Sequence, residues 1–210
     1  MLRSMRFAEV TLDAPLDLRG FYGDELGLPV DGDAIVAGET RLRFRVEEGG
    51  AFYHFAFLVP GDRFDAALAW AQERVELLGG IFDSDAWDSR AVYFEDPAGN
   101  IVELIAHHGL EENGRKGVFE ATELVGISEL GVVGDPPSLV RELEGLGVQL
   151  WDGTIEEPGR LAFVGEQGRT FILAPAGRGW LPTGRPAEPH PVEADFQLDG
   201  ADGRFSTRRP

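Results

Sequence analysis

The chain has 210 residues, 43% of them hydrophobic and 27% charged, with 37 acidic against 19 basic side chains for a net charge of −18. That length suits one compact domain or somewhat more, and the acidic balance works against a phosphate backbone or an anionic membrane surface as a partner. The absence of cysteine removes disulfides, thiolate nucleophiles, iron–sulfur clusters and Cys-ligated zinc together, so any metal must be held by His, Asp, Glu or backbone oxygen.

The pattern repeats three times along the chain. The first copy opens with the alternating strand Glu9-Val10-Thr11-Leu12, running into the turn Asp13-Ala14-Pro15. A helix is predicted over residues 16–26 and stops at Gly27; strands follow over 28–36 and 40–46. In the second copy the strand is His54-Phe55-Ala56-Phe57-Leu58. The helix covers 62–78, with Phe64, Ala67, Leu68 and Ala71 at amphipathic spacing and Gly79 closing it. Its strands cover 80–83, 91–94 and 100–105, the last two joined by the turn Asp96-Pro97-Ala98-Gly99.

Residues 107–123 are polar and glycine-containing and read as a linker. The third copy starts at Glu129-Leu130-Gly131-Val132, has a helix over 137–146 ending at Gly147, and strands over 148–151, 161–164 and 170–173. Each copy is a β-α-β-β-β unit, and one such unit leaves a sheet face bare, so two must pair. From residue 175 the chain is rich in Pro, Gly and charge; Trp180 is its large anchor, 192–198 could add an edge strand, and the end is expected to stay unpacked. No apolar run approaches about 18 residues, and Met1 to Arg6 is followed by no signal-peptide stretch, so a cytoplasmic location is expected.

Two segments resemble a known family. Phe21-Tyr22-Gly23-Asp24-Glu25-Leu26-Gly27-Leu28-Pro29-Val30 is similar to the helix-end signature of the vicinal oxygen chelate superfamily, which includes glyoxalases, bleomycin-resistance proteins and extradiol dioxygenases. Phe94-Glu95-Asp96-Pro97-Ala98-Gly99-Asn100-Ile101-Val102-Glu103-Leu104 is similar to its last-strand signature. The resemblance implies an α+β fold in which paired βαβββ modules form a curled sheet cup. It divides the chain into a two-module glyoxalase-like domain (1–106), the linker (107–123), a third βαβββ-like module (124–174) and a C-terminal extension (175–210).

The same resemblance implies a divalent metal in the cup, held by side chains from the first and last strand of each module. Carried onto this sequence, the ligands are Glu9, His54 and Glu103; the fourth position falls near Arg43, and arginine cannot ligate a cation. Either three protein ligands are completed by water or substrate, or the metal is absent. Strand parity is compatible with the cup: Glu9, His54 and Glu103 share faces apart from the apolar Val10, Leu12, Phe55, Phe57, Val102 and Leu104.

Each signal also has a plainer explanation. His54 alone could be a hydrogen-bonded core histidine, and Glu9 or Glu103 could pair with Arg6, Arg41 or Arg43. Glu129 holds the Glu9 position of the third copy, but Ile172 holds its Glu103 position, so that copy reads as having lost a site. The Asp83, Asp85 and Asp88 cluster around Trp87 lacks calcium-loop spacing and reads as a solvated loop, and His107-His108 as part of the linker.

One histidine and two carboxylates suit Mn, Ni, Mg, Zn or Fe as a divalent ion. The expectation is a metal-dependent lyase, isomerase or related enzyme, less so a dioxygenase, on a small oxygenated substrate, with Glu9 or Glu103 moving a proton. The competing expectation is a metal-free binding protein, similar to bleomycin-resistance proteins, with the cup lined by Phe7, Phe52, Tyr53, Trp87 and Tyr93. The resemblance, in which modules pair across or within chains, together with an odd number of modules, implies a homodimer.

Overall fold

The computed structural model describes residues 4–157 and 159–208. The strands are β1 (Met5–Ala14), β2 (Val30–Asp31), β3 (Ala34–Ala37), β4 (Thr40–Val46), β5 (His54–Val59), β6 (Phe82–Ser84), β7 (Ser89–Glu95), β8 (Ile101–His107), β9 (Gly126–Gly134), β10 (Leu150–Gly153), β11 (Ala162–Glu166), β12 (Arg169–Pro175), β13 (Val192–Leu198) and β14 (Ala201–Ser206). The helices are α1 (Phe64–Gln72) and α2 (Pro136–Gly145). Among the described residues no helix is long and apolar enough to cross a membrane.

The strands form two curled sheets. One has the order β10-β11-β12-β9-β5-β8-β7-β6, the other β14-β13-β1-β4-β3-β2. In each repeat the opening strand pairs parallel with the closing strand: β1 with β4, β5 with β8, β9 with β12. That recurring pairing is the βαβββ module, and the architecture is α+β. The second and third modules meet through antiparallel β5 and β9. The first module meets the tail instead, through antiparallel β1 and β13.

This partnership differs from the expected pairing of the first two modules. The tail supplies the reason: Val192, Ala194 and Phe196 alternate with polar residues, as in a strand with one buried face, and all three are buried. Residues 192–198 are therefore an interior strand rather than an edge, and β14 extends the sheet where an unpacked end was expected. Both strands bury their apolar set in the core shared by the two sheets.

The first predicted helix is a single π-helical turn, Phe21–Glu25. Gly20 and Gly23 weaken helix in this stretch, and a Cβ on Gly23 would meet Val30 Cγ2 at 2.8 Å, so glycine lets the turn lie close to the next strand. α1 buries Phe64, Ala67, Trp70 and Ala71, whereas α2 starts at the N-cap Asp135, whose carboxylate accepts from Ser138 N, with proline in the first turn.

The two sheets and both helices share one core. Phe171 meets Phe7, Phe196 and Phe205 edge-on at 5.0, 6.0 and 5.3 Å between centroids; such contacts add roughly 0.5–1.5 kcal/mol each beyond area burial. Tyr22 donates to Asp96 at 2.7 Å, and Asp96 also accepts from the backbone of Ala98 and Asn100. One buried carboxylate thus organises the turn before β8 and ties it to the π-helical turn. His107 belongs to β8 and is fully buried, not part of a linker.

Candidate metal centre

Packing one face of the eight-stranded sheet on the core leaves the other face to line a cavity of about 280 Å³. The register places the polar groups on that face. Ala56 on β5 is the partner of Glu103 on β8 and of Glu129 on β9, so the two carboxylates flank it, and His54 lies two residues earlier on the same strand face. The ligating atoms of His54, Glu103 and Glu129 all lie within 4.8 Å of one another, and all three residues are buried.

Of the three residues expected to form the site, the structure brings His54 and Glu103 together, with Nε2 3.5 Å from Oε2. Glu9 stands elsewhere, on β1 in the six-stranded sheet, its carboxylate 3.0 Å from Arg43 Nε and 3.8 Å from Arg41 Nε. The guanidinium at the place of a fourth ligand therefore closes that position by an ion pair, and Glu9 remains one-third exposed. Glu129 occupies the third position of the triad. It is the Glu9 equivalent of the third repeat, which the isoleucine at 172 made look like a lost site; the equivalence itself was the signal.

Burial sets the charge state. His54 is held down to about 4 by desolvation, opposed by its contact with the Ile101 carbonyl and reinforced by the positive Arg178. Its Nδ1 lies 3.1 Å from Ile101 O, which fixes Nδ1 as donor and leaves the Nε2 lone pair for the cavity. Burial also pushes Glu103 well up, with Glu129 adding to the rise and the hydrogen bond from Tyr93 opposing it. Glu129 is pushed up to about 8 by burial. Two buried carboxyls sharing one small space resist ionising together, and a bound cation would relieve both.

The donor set fits a divalent ion. One imidazole nitrogen and two carboxylate oxygens are donors that such metals accept, with positions left for water or substrate. Ligands on opposite sides of an ion at about 2.1 Å stand roughly 4.2 Å apart, so small side-chain rotations bring these atoms into range. The Glu129 carboxyl has no hydrogen bond among the described residues and lines the cavity.

The walls are aromatic. Trp87 packs against Trp151 at 4.9 Å and Phe163 at 4.6 Å, and its Nε1 donates to Asp152 at 2.6 Å, joining the second module to the third. Trp180 covers His54 at 5.1 Å. Gly131 permits this, since a Cβ there would meet His54 O at 2.7 Å and the Trp180 ring at 3.1 Å. Of the five aromatics expected as lining, Trp87 and Tyr93 line the cavity. Phe7 is in the inter-sheet core, Phe52 carries the Arg185 guanidinium at 3.3 Å, and Tyr53 turns its hydroxyl to Pro191 O. Sequence reasoning also passed over Arg178, a cavity-lining residue in the tail for which no motif exists. The acidic residues Asp83 and Asp88 are exposed and pair with Arg90 and His108.

No protein-family model matches the chain, and comparison with curated proteins finds no match. Solved structures do match. Glyoxalase I from Zea mays aligns over 82% of this chain and 67% of its own, with 13% identity and a TM-score of 0.53. A dioxygenase candidate from Bacillus subtilis aligns over 93% of this chain and 67% of its own, with 15% identity and a TM-score of 0.52. At such identities the likeness establishes architecture alone: the chain has the vicinal oxygen chelate fold.

Proposed function

We propose that this chain is a glyoxalase-like metalloenzyme, a lyase, isomerase or related catalyst on a small oxygenated substrate, with a divalent ion held by His54, Glu103 and Glu129. The observation that carries the reading is the convergence of these three buried side chains in one aromatic-walled cavity. The resident ion would supply Lewis acidity toward two neighbouring substrate oxygens.

The protein's own groups have separable parts in this reading. His54 presents Nε2 with its ring fixed by the Ile101 carbonyl, and Tyr93 orients Glu103. Glu129 takes the proton-transfer role expected for Glu9 or Glu103, because its carboxyl faces the cavity with no hydrogen bond among the described residues. Its carboxylate would remove a proton from the carbon beside a substrate carbonyl and return it to the neighbouring position. Trp87, Phe163 and Trp180 keep water from the reacting atoms.

The test is metal uptake. Full-length protein stripped by chelation and titrated with Mn²⁺, Ni²⁺ and Zn²⁺ in a calorimeter should bind one ion per chain, and His54→Ala and Glu129→Gln should each abolish tight binding. A stripped protein that takes up no ion sinks the reading. The aromatic walls then favour the second one, a metal-free protein that sequesters a small aromatic molecule.

A further inference from the structure

The cavity holds a positive group that the metal reading leaves unused. Arg178 lines it together with His54, Glu103 and Glu129. It sits on a loop after β12 that folds back on itself: Ala187 N donates to Arg178 O, and Trp180 N donates to Arg185 O. Arg185 pins the loop by donating to Gly99 O at 3.0 Å and lying over Phe52. The loop thus carries Trp180 and Arg178 as a pair over the ligand triad.

Arg178 has no carboxylate within 4.0 Å among the described residues, although the chain has 37 acidic side chains against 19 basic ones. Most arginines near it in sequence or space are committed: Arg160 to Glu157, Arg185 to Gly99. The only side-chain hydrogen bond of Arg178 among the described residues runs from Nη1 to Gly179 O at 2.7 Å. That bond fixes the guanidinium and leaves the Nε and Nη2 edge, the side that grips a planar carboxylate by two parallel hydrogen bonds. Burial and the neighbouring Arg160 both disfavour its charge, so an anion placed there gains what the protein does not supply.

We propose that Arg178 is the substrate's anion anchor, and that the substrate is a small oxygenated carboxylate whose carboxylate is held by the Nε and Nη2 edge. This rests on the reading above for its oxygen pair at the triad, with the carboxylate at the opposite end of the molecule. The cavity of about 280 Å³ suits a compact molecule, at the small end of ligand sites. Arg178 is a specificity-determining residue in this account, not a proton carrier.

The probes are hydroxamates, which present two adjacent oxygens to a metal. On Zn²⁺-loaded full-length protein, the monohydroxamates of succinate and glutarate are compared with butyrohydroxamate by calorimetry. At least one of the two carboxylate compounds should bind about tenfold tighter than the neutral one. Arg178→Gln should erase that preference while the protein still takes up one zinc ion per chain and still binds butyrohydroxamate. Equal binding of all three by the parent protein, or a preference that survives Arg178→Gln, overturns the proposal.

A failure of the metal reading shows separately, as no zinc uptake. In that event metal-free protein is titrated with benzoate and benzamide, read by tryptophan fluorescence, to which the cavity-lining Trp87 and Trp180 contribute. A benzoate preference lost in Arg178→Gln supports the anion anchor by itself, and its absence overturns it.

Discussion

Glu129 stands opposite Ala56 across the β5–β9 pair, so the two side chains share the sheet face from which the Glu129 carboxyl lines the cavity. Glu103 stands opposite the same residue from β8. Ala56→Leu should wedge the two carboxylates apart, lowering ion affinity at least tenfold, with an overpacking cost of about 1–3 kcal/mol. Ala56→Gly should keep the affinity. Calorimetric titration of both variants beside their urea melts separates the two effects.

The six-stranded sheet offers the matching control. Glu9 is engaged by Arg41 and Arg43 and lies in the other sheet, so Glu9→Gln should leave ion uptake within twofold of the parent protein. A large loss in Glu9→Gln with none in Glu129→Gln would return the site to the first module.

Proton linkage gives a signed prediction. In ion-free protein Glu129 sits at about 8 against an ordinary 4.5, so the folded state holds more protons than the unfolded one between those values, and stability falls as pH rises through that window. His54 sits at about 4 against 6.5, so its contribution is lost as pH falls below 6.5. Between pH 6.5 and 8 the raised carboxyls Glu129 and Glu103 act and His54 does not: ion-free Tm should drop with rising pH there, and Glu129→Gln should make the drop shallower. Ion affinity should rise over the same interval, with proton release seen by calorimetry in buffers of different ionisation heat.

The repeat was legible because strand and turn residues recur at matching places, and the turn around Asp96 carries its own hydrogen-bonding logic. Position alone does not say which modules pair. Val10, Leu12, Phe55 and Phe57 make both opening strands equally able to line a core, and the choice fell to the tail, whose Val192, Ala194 and Phe196 fill the place beside β1. His54 and Glu103 were visible because they lie in one module and are held by its parallel β5–β8 pairing. Glu129 depends on a strand from another repeat, and Arg178 on a loop that packs only after the cup exists.

Tyr22→Phe should cost about 1–3 kcal/mol, because it removes a donor from the buried Asp96 and leaves that carboxyl short of one partner. Denaturant melts measure this. Ion affinity should stay unchanged, since Asp96 organises the turn rather than the cavity.

Arg63 and Glu123 form a buried ion pair at 2.9 Å, and Arg63 also donates to the carbonyls of Arg115, Gly117 and Val118. Removing one partner leaves an uncompensated buried charge, so Arg63→Ala should lose about 3–5 kcal/mol. It should also speed protease cleavage between residues 107 and 123, a region whose placement depends on these bonds.

The pairing of Met5 with Leu198 has a consequence for biosynthesis. During translation β1 emerges long before its antiparallel neighbour β13, so one backbone edge stays naked meanwhile. The other sheet can zip up first, from residues 54 to 175, and the nascent protein then waits with a sticky edge exposed. Such late, long-distance closure makes maturation slow and leaves crowded, half-made molecules prone to join one another.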